Sequence, residues 1–344
     1  MAKKIFIGNY KGGVGKTTSA YQIGGWISKQ KNKVLIVDLD PQASLSRICI
    51  KRSINGGLED LKYNETLNYA IELYSTYIDT KLDRLSLLTK NFESYSEHIS
   101  NIIKPVSGFN KEDGMKFDYI PSTINFKNSR LNDLAQKMAN KPFNIFTMRL
   151  ILDDLRCDEN YDYIIFDCPP SSNILTQSIF ILADYYLIPT ICDDISADGV
   201  SDYITEIESI YTKYSMNDEI GGILLNSLVG ERPKLIGIFE SIYKNRQKKS
   251  NLYTIERIDK DIENIGVKCI LNKQDNKRYR YCKNNGNGCD IETKYIFREC
   301  IVHSDNRSNE SGVPAKTEIG ELHILYENLS KNIIDILKKE DKIK

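Results

Sequence analysis

The sequence lacks the features that mark membrane, secreted and strongly charged proteins. No hydrophobic run approaches the ~20 residues that span a bilayer, and the apolar run Ile5 to Ile7 is too short for a signal peptide. The eight cysteines include no closely spaced pair, so a disulfide scaffold is not expected. Lys and Arg (47) balance Asp and Glu (47), which excludes attraction to nucleic acid through overall charge. We therefore expect a cytoplasmic protein.

Strand-like apolar runs alternate with amphipathic helical stretches along the 344 residues. The runs are residues 4–9, 33–38, 117–121, 163–167, 185–190 and 220–226. This alternation predicts an α/β fold with a doubly wound, mainly parallel sheet and helices on both faces. Ligands of such sheets bind at the carboxyl ends of the strands, so we expect the functional site there.

Two segments differ in composition and are interpreted as insertions into a single domain spanning residues 1–344. Residues 51–116 have a polar helical pattern, and the second insertion, at about 231–295, is basic. Residues 231–300 carry 16 Lys or Arg against 10 Asp or Glu. The last helical stretch, 316–339, has an apolar stripe wide enough to pack against the sheet, which disfavours a membrane-binding foot.

A glycine-rich segment, residues 11–18, lies between the first predicted strand and a helix. Its glycines allow backbone N–H groups to surround phosphate oxygens, and the helix N-terminus adds a positive dipole end. Lys16 can reach the β- and γ-phosphates, and the Thr17 hydroxyl can coordinate Mg²⁺. Tyr10 stands where the motif usually has its first glycine. The nucleotide-binding candidates here are Gly12, Gly13, Val14, Gly15, Lys16, Thr17 and Thr18.

The string from Asn9 to Thr18 resembles the deviant phosphate loop of the ParA/MinD superfamily of ATPases. Two later blocks, residues 34–42 and 163–171, agree in order and spacing, and their details are similar to partition ParA proteins. The resemblance implies that Lys11 contacts nucleotide across a dimer interface and that Asp40 positions or deprotonates the attacking water. The catalytic candidates are then Lys11, Lys16 and Asp40, and the candidate Mg²⁺ ligands are Thr17, Asp38 and Asp167.

The resemblance further implies a Mg²⁺-dependent ATPase that forms an ATP-sandwich homodimer and binds DNA non-specifically. Hydrolysis, stimulated by a ParB-like centromere-binding adaptor, would reset the dimer and segregate a plasmid or chromosome, and the protein would be nucleoid-associated. Three alternatives stay open. They are a MinD-like membrane-cycling regulator, a ParA-like positioner of a cargo other than DNA, and a reductase carrying an iron–sulfur cluster.

Because the overall charge is balanced, DNA binding would require a local basic patch. Basic clusters in the second insertion can hold a phosphate backbone without reading bases, although solvated helix faces explain many such runs. A block before the last helix loosely resembles the family's DNA-contacting loop and contains Arg307. The DNA-binding candidates are Arg307, Arg278, Arg280, Lys248 and Lys249.

Base recognition and metal binding leave alternatives open. We expect ATP, with Asn226 at the end of the predicted strand 220–226 touching adenine. The string Asn272 to Asp275 matches the guanine-reading Asn-Lys-x-Asp motif and keeps GTP as an alternative. Four cysteines lack the close spacing typical of zinc sites, so two interpretations stay open: a zinc site or free thiols. They are Cys269, Cys282, Cys289 and Cys300.

Overall fold

The computed structural model describes residues 1–53, 57–107, 116–191, 194–243, 249–271, 277–280, 289–302 and 320–343. The strands are β1 (Lys3–Ile7), β2 (Val34–Asp38), β3 (Lys104–Ser107), β4 (Lys116–Ile120), β5 (Tyr163–Asp167), β6 (Tyr185–Thr190), β7 (Lys234–Tyr243), β8 (Lys277–Arg280), β9 (Cys289–Glu292) and β10 (Ile296–Val302). The helices are α1 (Lys16–Lys29), α2 (Ser44–Ser53), α3 (Leu67–Thr80), α4 (Arg84–Thr89), α5 (Ser96–Ile99), α6 (Leu131–Met138), α7 (Thr147–Asp154), α8 (Cys157–Asn160), α9 (Ile174–Leu182), α10 (Asp194–Ser215), α11 (Gly221–Val229), α12 (Lys249–Ile265) and α13 (Gly320–Ile343). Short 3₁₀ helices lie at Leu58–Asp60, Tyr63–Glu65, Ser100–Ile102 and Pro142–Phe146.

The strands of the described residues form an eight-stranded sheet in the order β10-β7-β6-β1-β5-β2-β4-β3. All neighbouring pairs are parallel except β3 and β4, which are antiparallel at one edge. A separate antiparallel ribbon joins β8 and β9. Because β1 lies between β5 and β6, the loop that follows β1 emerges near the centre of the sheet.

Both faces of the sheet are covered, as the near-continuous apolar strands predict. In β2, Leu35 and Val37 belong to one buried cluster, and Val34 and Ile36 belong to the cluster on the other face. This alternation follows from the two-residue period of a strand. The doubly wound α/β prediction is confirmed.

The C-terminal helix α13 packs against the sheet and α1, as expected. Its Leu329, Ile333, Ile334 and Leu337 are buried in the same cluster as Ile36, and the Tyr326 hydroxyl hydrogen-bonds the Ser19 hydroxyl at 3.0 Å. None of the helices in the described ranges combines the length and apolar character needed to cross a membrane.

The predicted strand 220–226 is wrong, because these residues begin helix α11. Leu224, Leu225 and Leu228 are buried, whereas Ile223 is 80% exposed. This spacing buries one helical face, and a short apolar run alone cannot distinguish that arrangement from a strand.

The segment 231–295, predicted to be an insertion, begins with a strand of the main sheet. β7 pairs with β6 on one side and β10 on the other. The segment 51–116 also contributes to the sheet and core, through edge strand β3 and through α3, whose Ile71 and Ile78 are fully buried. Neither segment is therefore wholly outside the sheet and its core.

Candidate functional site

The loop after β1 has the backbone form of a phosphate-binding nest. Gly13 and Gly15 have φ angles of 73° and 76°, which favour glycine, and helix α1 starts at Lys16. A Cβ atom at Gly12 or Gly13 would have no neighbouring heavy atom within 4 Å, so this side of the loop is open to a ligand. Consecutive N–H groups at a helix N-terminus suit the phosphate groups of a nucleotide.

Two buried side chains that were not predicted as site residues hold the backbone of this loop in place. They come from the ends of neighbouring strands. The Asn9 amide donates to the Pro189 carbonyl at 2.8 Å and its Oδ1 accepts from the Lys11 N–H at 2.9 Å. The Ser241 hydroxyl donates to the Val14 carbonyl at 2.5 Å. Asn9 belongs to the string from Asn9 to Thr18 that resembles the phosphate loop, so the sequence could have indicated its role. Ser241 lies in the segment 231–295, and no sequence pattern there pointed to the loop.

Lys16 is folded back across the loop. Its Nζ donates to the Lys11 carbonyl at 2.9 Å, and the residue is only 7% exposed. Burial lowers the Lys16 pKa, and the negative charges of Asp167 and Asp40 oppose that change. The ammonium therefore lies within the influence of both carboxylates, beside the nest.

Tyr10, at the position of the usual first glycine, anchors the loop to helix α10. Its ring packs edge-on against Tyr203, with centroids 4.8 Å apart. Burial raises the pKa of Tyr10 to about 12, and the nearby Glu206 adds to the rise. A Cβ on Gly8 would lie 1.9 Å from the Tyr203 hydroxyl, so this close approach requires glycine.

Asp38 and Asp167 lie side by side at the carboxyl ends of β2 and β5. Asp167 is 1% exposed, and neither carboxylate oxygen has a hydrogen-bond partner among the described residues. Burial raises the pKa of Asp167 well above its ordinary value, the negative charge of Asp38 adds to the rise, and Thr17 and Lys16 partly offset it. A buried carboxylate without a partner, close to a threonine hydroxyl, fits a Mg²⁺ ion.

Across the described ranges, no three His, Cys, Asp or Glu side chains are grouped so that they could hold a metal alone. Mg²⁺ commonly keeps water and substrate phosphate oxygens among its ligands, and such ligands would complete its coordination here.

Asp38 differs from Asp167 because its oxygens are occupied by donors of the protein. Burial raises the pKa of Asp38 to about 6, and hydrogen bonds from Ser46 and Asp40 oppose the rise. Asp40 is partly exposed, and its Oδ1 accepts from the Gln42 N–H at 2.8 Å.

A cleft of about 470 Å³ brings most of the predicted site together. The predicted residues that line it are Gly12, Gly13, Gly15, Lys16, Thr17, Thr18 and Asp40. Ser44, Arg47, Ile48, Lys51 and Pro170 also line it and were not predicted. A larger cavity of about 550 Å³ contains Lys33 and Val34, at the opposite edge of the sheet, and none of the phosphate-loop residues.

Asn226 is not in this cleft, so the predicted adenine contact is wrong. Because 220–226 forms helix α11 and not a strand, Asn226 lines a different cavity of about 320 Å³. Tyr185 and Lys234 line the same cavity, which places it at the amino-terminal edge of the sheet.

The DNA-binding candidates are only partly covered by the described residues. Lys249 begins α12, and Arg278 and Arg280 lie in β8. Arg307 and Lys248 lie outside the described residues. The predicted DNA interface stays a prediction.

The guanine motif Asn272 to Asp275 also lies outside the described residues, and so does Cys282. Cys269 is partly buried, and this burial raises its pKa to about 12. Cys289 and Cys300 lie in β9 and β10. The zinc hypothesis for these cysteines stays untested.

Comparison with known proteins agrees with this fold. A family model described as an AAA domain matches residues 2–221. An uncharacterized protein of Pseudomonas putida is 29% identical over 224 residues, which cover 65% of this chain and 69% of that protein. The sporulation initiation inhibitor protein Soj of Bacillus subtilis is 26% identical over 244 residues, or 71% of this chain and 80% of Soj.

Solved structures with the same fold include proteins with nucleotide or DNA. Apo McdA of Cyanothece superposes with a TM-score of 0.58 at 16% identity, covering 98% of this chain and 100% of that one. The pNOB8 ParA bound to nonspecific DNA superposes with a TM-score of 0.57 at 18% identity, covering 98% and 99%.

Proposed function

The chain belongs to the AAA-domain family and is a P-loop ATPase of the ParA/MinD type, and from this premise we propose that it hydrolyses ATP to partition DNA. The observation that carries the proposal is the pairing of a glycine nest with a buried, unpartnered carboxylate at Asp167. Relatives named for partition and sporulation control, and a ParA structure bound to nonspecific DNA, support it.

Each site residue has a distinct role in this proposal. The glycine nest binds the phosphates, Lys16 neutralises their charge, and Thr17 and Asp167 hold Mg²⁺. When bound, Mg²⁺ supplies Lewis-acid stabilisation of phosphate charge. Asp40 orients the attacking water, which in a loose transition state matters more than basicity. Asp38, the third predicted Mg²⁺ ligand, instead shapes the loop that carries Asp40 in this proposal, because both of its oxygens accept hydrogen bonds from Asp40 and Ser46.

Two substitutions separate binding from hydrolysis. Lys16→Ala should abolish nucleotide binding, because Lys16 contacts phosphate in the ground state. Asp40→Ala should bind ATP but hydrolyse it at least about 100-fold more slowly. Equilibrium binding of a fluorescent ATP analogue and phosphate release measure both, with Lys29→Ala at the other end of α1 as the matched control. Nucleotide affinity unchanged in Lys16→Ala would refute the proposed site.

We further propose that ATP closes two subunits into a sandwich in which Lys11 acts on the nucleotide of the partner subunit. Asp40→Ala, which retains ATP, should accumulate as a dimer in size-exclusion chromatography. Mixing Lys11→Ala with Asp40→Ala protein should regain activity, because each mixed dimer contains one intact composite site. Demonstrated mixed dimers without regained activity would place the action of Lys11 in its own subunit.

The ATP dimer is proposed to bind the DNA backbone through Arg278, Arg280, Arg307, Lys248 and Lys249 and so to associate with the nucleoid. Each lost phosphate contact should flatten the slope of log K against log salt by about 0.9 on any duplex. A salt titration of wild type and of Arg278→Ala/Arg280→Ala on two unrelated duplexes tests this. An unchanged slope in a variant that still dimerises would place the DNA site elsewhere.

A ParB-like adaptor is proposed to stimulate hydrolysis and release the dimer from DNA. Co-sedimentation with DNA and with liposomes, with and without ATP, separates this function from membrane cycling. ATP-dependent binding to liposomes but not to DNA would favour the MinD-like alternative. Binding to neither, together with a metal–sulfur chromophore, would favour the reductase alternative.

A further inference from the structure

The loop between β2 and α2, which carries Asp40, is tied to the Asp38 carboxylate. Asp38 Oδ1 accepts from the Asp40 N–H at 3.1 Å. Its Oδ2 accepts from the N–H and the hydroxyl of Ser46 at 2.8 and 2.6 Å. Asp38 and Ser46 are fully buried. Asp38 therefore holds both ends of the short segment in which Asp40 lies.

Ser46 extends this arrangement to the neighbouring strand β4. Its hydroxyl oxygen accepts from the Ser122 N–H at 2.8 Å, just beyond the end of β4. The Ser122 hydroxyl in turn donates to the Asp40 carbonyl at 3.4 Å. A closed ring of hydrogen bonds thus joins Asp38, Ser46, Ser122 and Asp40. The backbone of Asp40 is held at its N–H by Asp38 and at its carbonyl by Ser122.

From this geometry we propose that Ser46 is a positioning residue for hydrolysis, acting on Asp40 through Asp38 and Ser122. The inference rests on the proposed role of Asp40 in orienting the attacking water. The Ser46 hydroxyl connects the ends of β2 and β4 because it donates to one and accepts from the other. It does not line the phosphate cleft, so its effect on nucleotide must pass through the loop.

Removing the Ser46 hydroxyl takes a donor from Asp38 and leaves the buried Ser122 N–H without its acceptor. A buried donor without a partner favours a rearranged loop, because its desolvation is no longer compensated. A displacement of about 1 Å at a reacting group lowers the rate by about 100-fold. The glycine nest and Lys16 lie outside the ring, so the affinity for nucleotide should change less than about 3-fold.

The first experiment compares Ser46→Ala with Ser178→Ala. Ser178 is a matched control because its buried hydroxyl donates to the Leu175 carbonyl at 2.6 Å in α9, away from the site. We expect Ser46→Ala to lower kcat by about 10- to 100-fold with KM and the Kd for a non-hydrolysable ATP analogue nearly unchanged. Ser178→Ala should leave kcat unchanged. If Ser46→Ala does not fold, Ser46→Cys carries the same comparison, since a thiol is only a weak donor and acceptor.

The second experiment measures amide hydrogen exchange in the nucleotide-free protein. Ser46→Ala should speed exchange at the Asp40 and Ser122 amides by at least about tenfold, with the midpoint of urea unfolding close to that of Ser178→Ala. This readout does not depend on ATP hydrolysis.

The outcomes distinguish the two proposals. Wild-type protein that hydrolyses ATP no faster than Lys16→Ala would refute the proposed function and this inference with it. An active wild type with equal kcat values for Ser46→Ala and Ser178→Ala, or with unchanged exchange at Asp40 and Ser122, would refute only the positioning role of Ser46.

Discussion

Replacing Asp167 with asparagine tests the central electrostatic feature of the site. Asp167 is buried, its oxygens have no hydrogen-bond partner among the described residues, and Asp38 lies beside it in the sheet. Its charged form is therefore poorly solvated and repelled by Asp38, and the opposing effects of Thr17 and Lys16 are smaller. We expect Asp167→Asn to be more stable than wild type without ligand, and to lose the stabilisation that Mg²⁺ and nucleotide provide.

The expected gain in stability follows from the free energy cost of burying a charged or polar group without a hydrogen-bond partner. A buried charge without a partner costs about 3 kcal/mol, and a neutral amide about 1–2 kcal/mol. The substitution should therefore gain about 1–2 kcal/mol, or about 1–3 °C in Tm for a chain of this size. In wild type, Mg²⁺ and nucleotide at 100 times Kd add about 2.7 kcal/mol, and the variant should lose most of this gain.

The pKa of Asp167 gives the sign of the pH dependence. Its ordinary value is 3.8, and burial raises the pKa in the folded state well above that. Between the two values the folded state binds more protons than the unfolded state, so wild-type stability falls as pH rises. The Asp167→Asn protein lacks this titration. Its advantage should be near zero below about pH 4 and should grow until the pH passes the folded-state pKa.

Thermal unfolding at pH 4 and pH 8, with and without Mg²⁺ and a non-hydrolysable ATP analogue, measures these differences. Asp118→Asn on β4 is the control, because Asp118 accepts a hydrogen bond from the Tyr161 hydroxyl at 2.6 Å and should lose stability when neutralised. Two results would refute the reasoning. One is an Asp167→Asn protein that is less stable than wild type at pH 8 without ligand, and the other is a variant whose Tm rises as much as that of wild type when Mg²⁺ and nucleotide are added.

Two further predictions test the packing of the loop and the corrected position of Asn226. Gly8→Ala should destabilise the fold by about 1–3 kcal/mol, since the new Cβ would overlap the Tyr203 hydroxyl. In urea unfolding, Gly199→Ala in α10, which has open space at its Cβ, should be neutral to slightly stabilising, and equal midpoints for the two variants would contradict the prediction. Asn226→Ala should leave the Kd for ATP within about twofold of the wild-type value, because Asn226 lies at the opposite edge of the sheet from the phosphate loop. Titration calorimetry measures this Kd, and a tenfold loss of affinity would restore the role of Asn226 in base recognition.

Local sequence was enough to predict the phosphate loop and the strand-end carboxylates. The positive φ angles at Gly13 and Gly15 and the start of α1 at Lys16 follow from the glycine pattern of the local sequence. A parallel sheet gathers the carboxyl ends of its strands at one edge, so Asp38 and Asp167 were expected at that edge once the fold class was predicted. That the two carboxylates lie side by side was decided by the strand order, in which β2 pairs with β5.

Tertiary structure decided the features that depend on distant partners. The apolar run 220–226 fits a strand or a helix equally well by itself, and burial of Leu224, Leu225 and Leu228 on one face makes it a helix. The sheet strand is then β7, whose Ser241 reaches the Val14 carbonyl across 227 residues of sequence. The ring that joins Ser46 to Ser122 spans two strand ends. Such contacts form only when folding brings separated segments together, so no local sequence pattern predicts them. The glycine turn of the phosphate loop, in contrast, is predicted by residues that are adjacent in sequence.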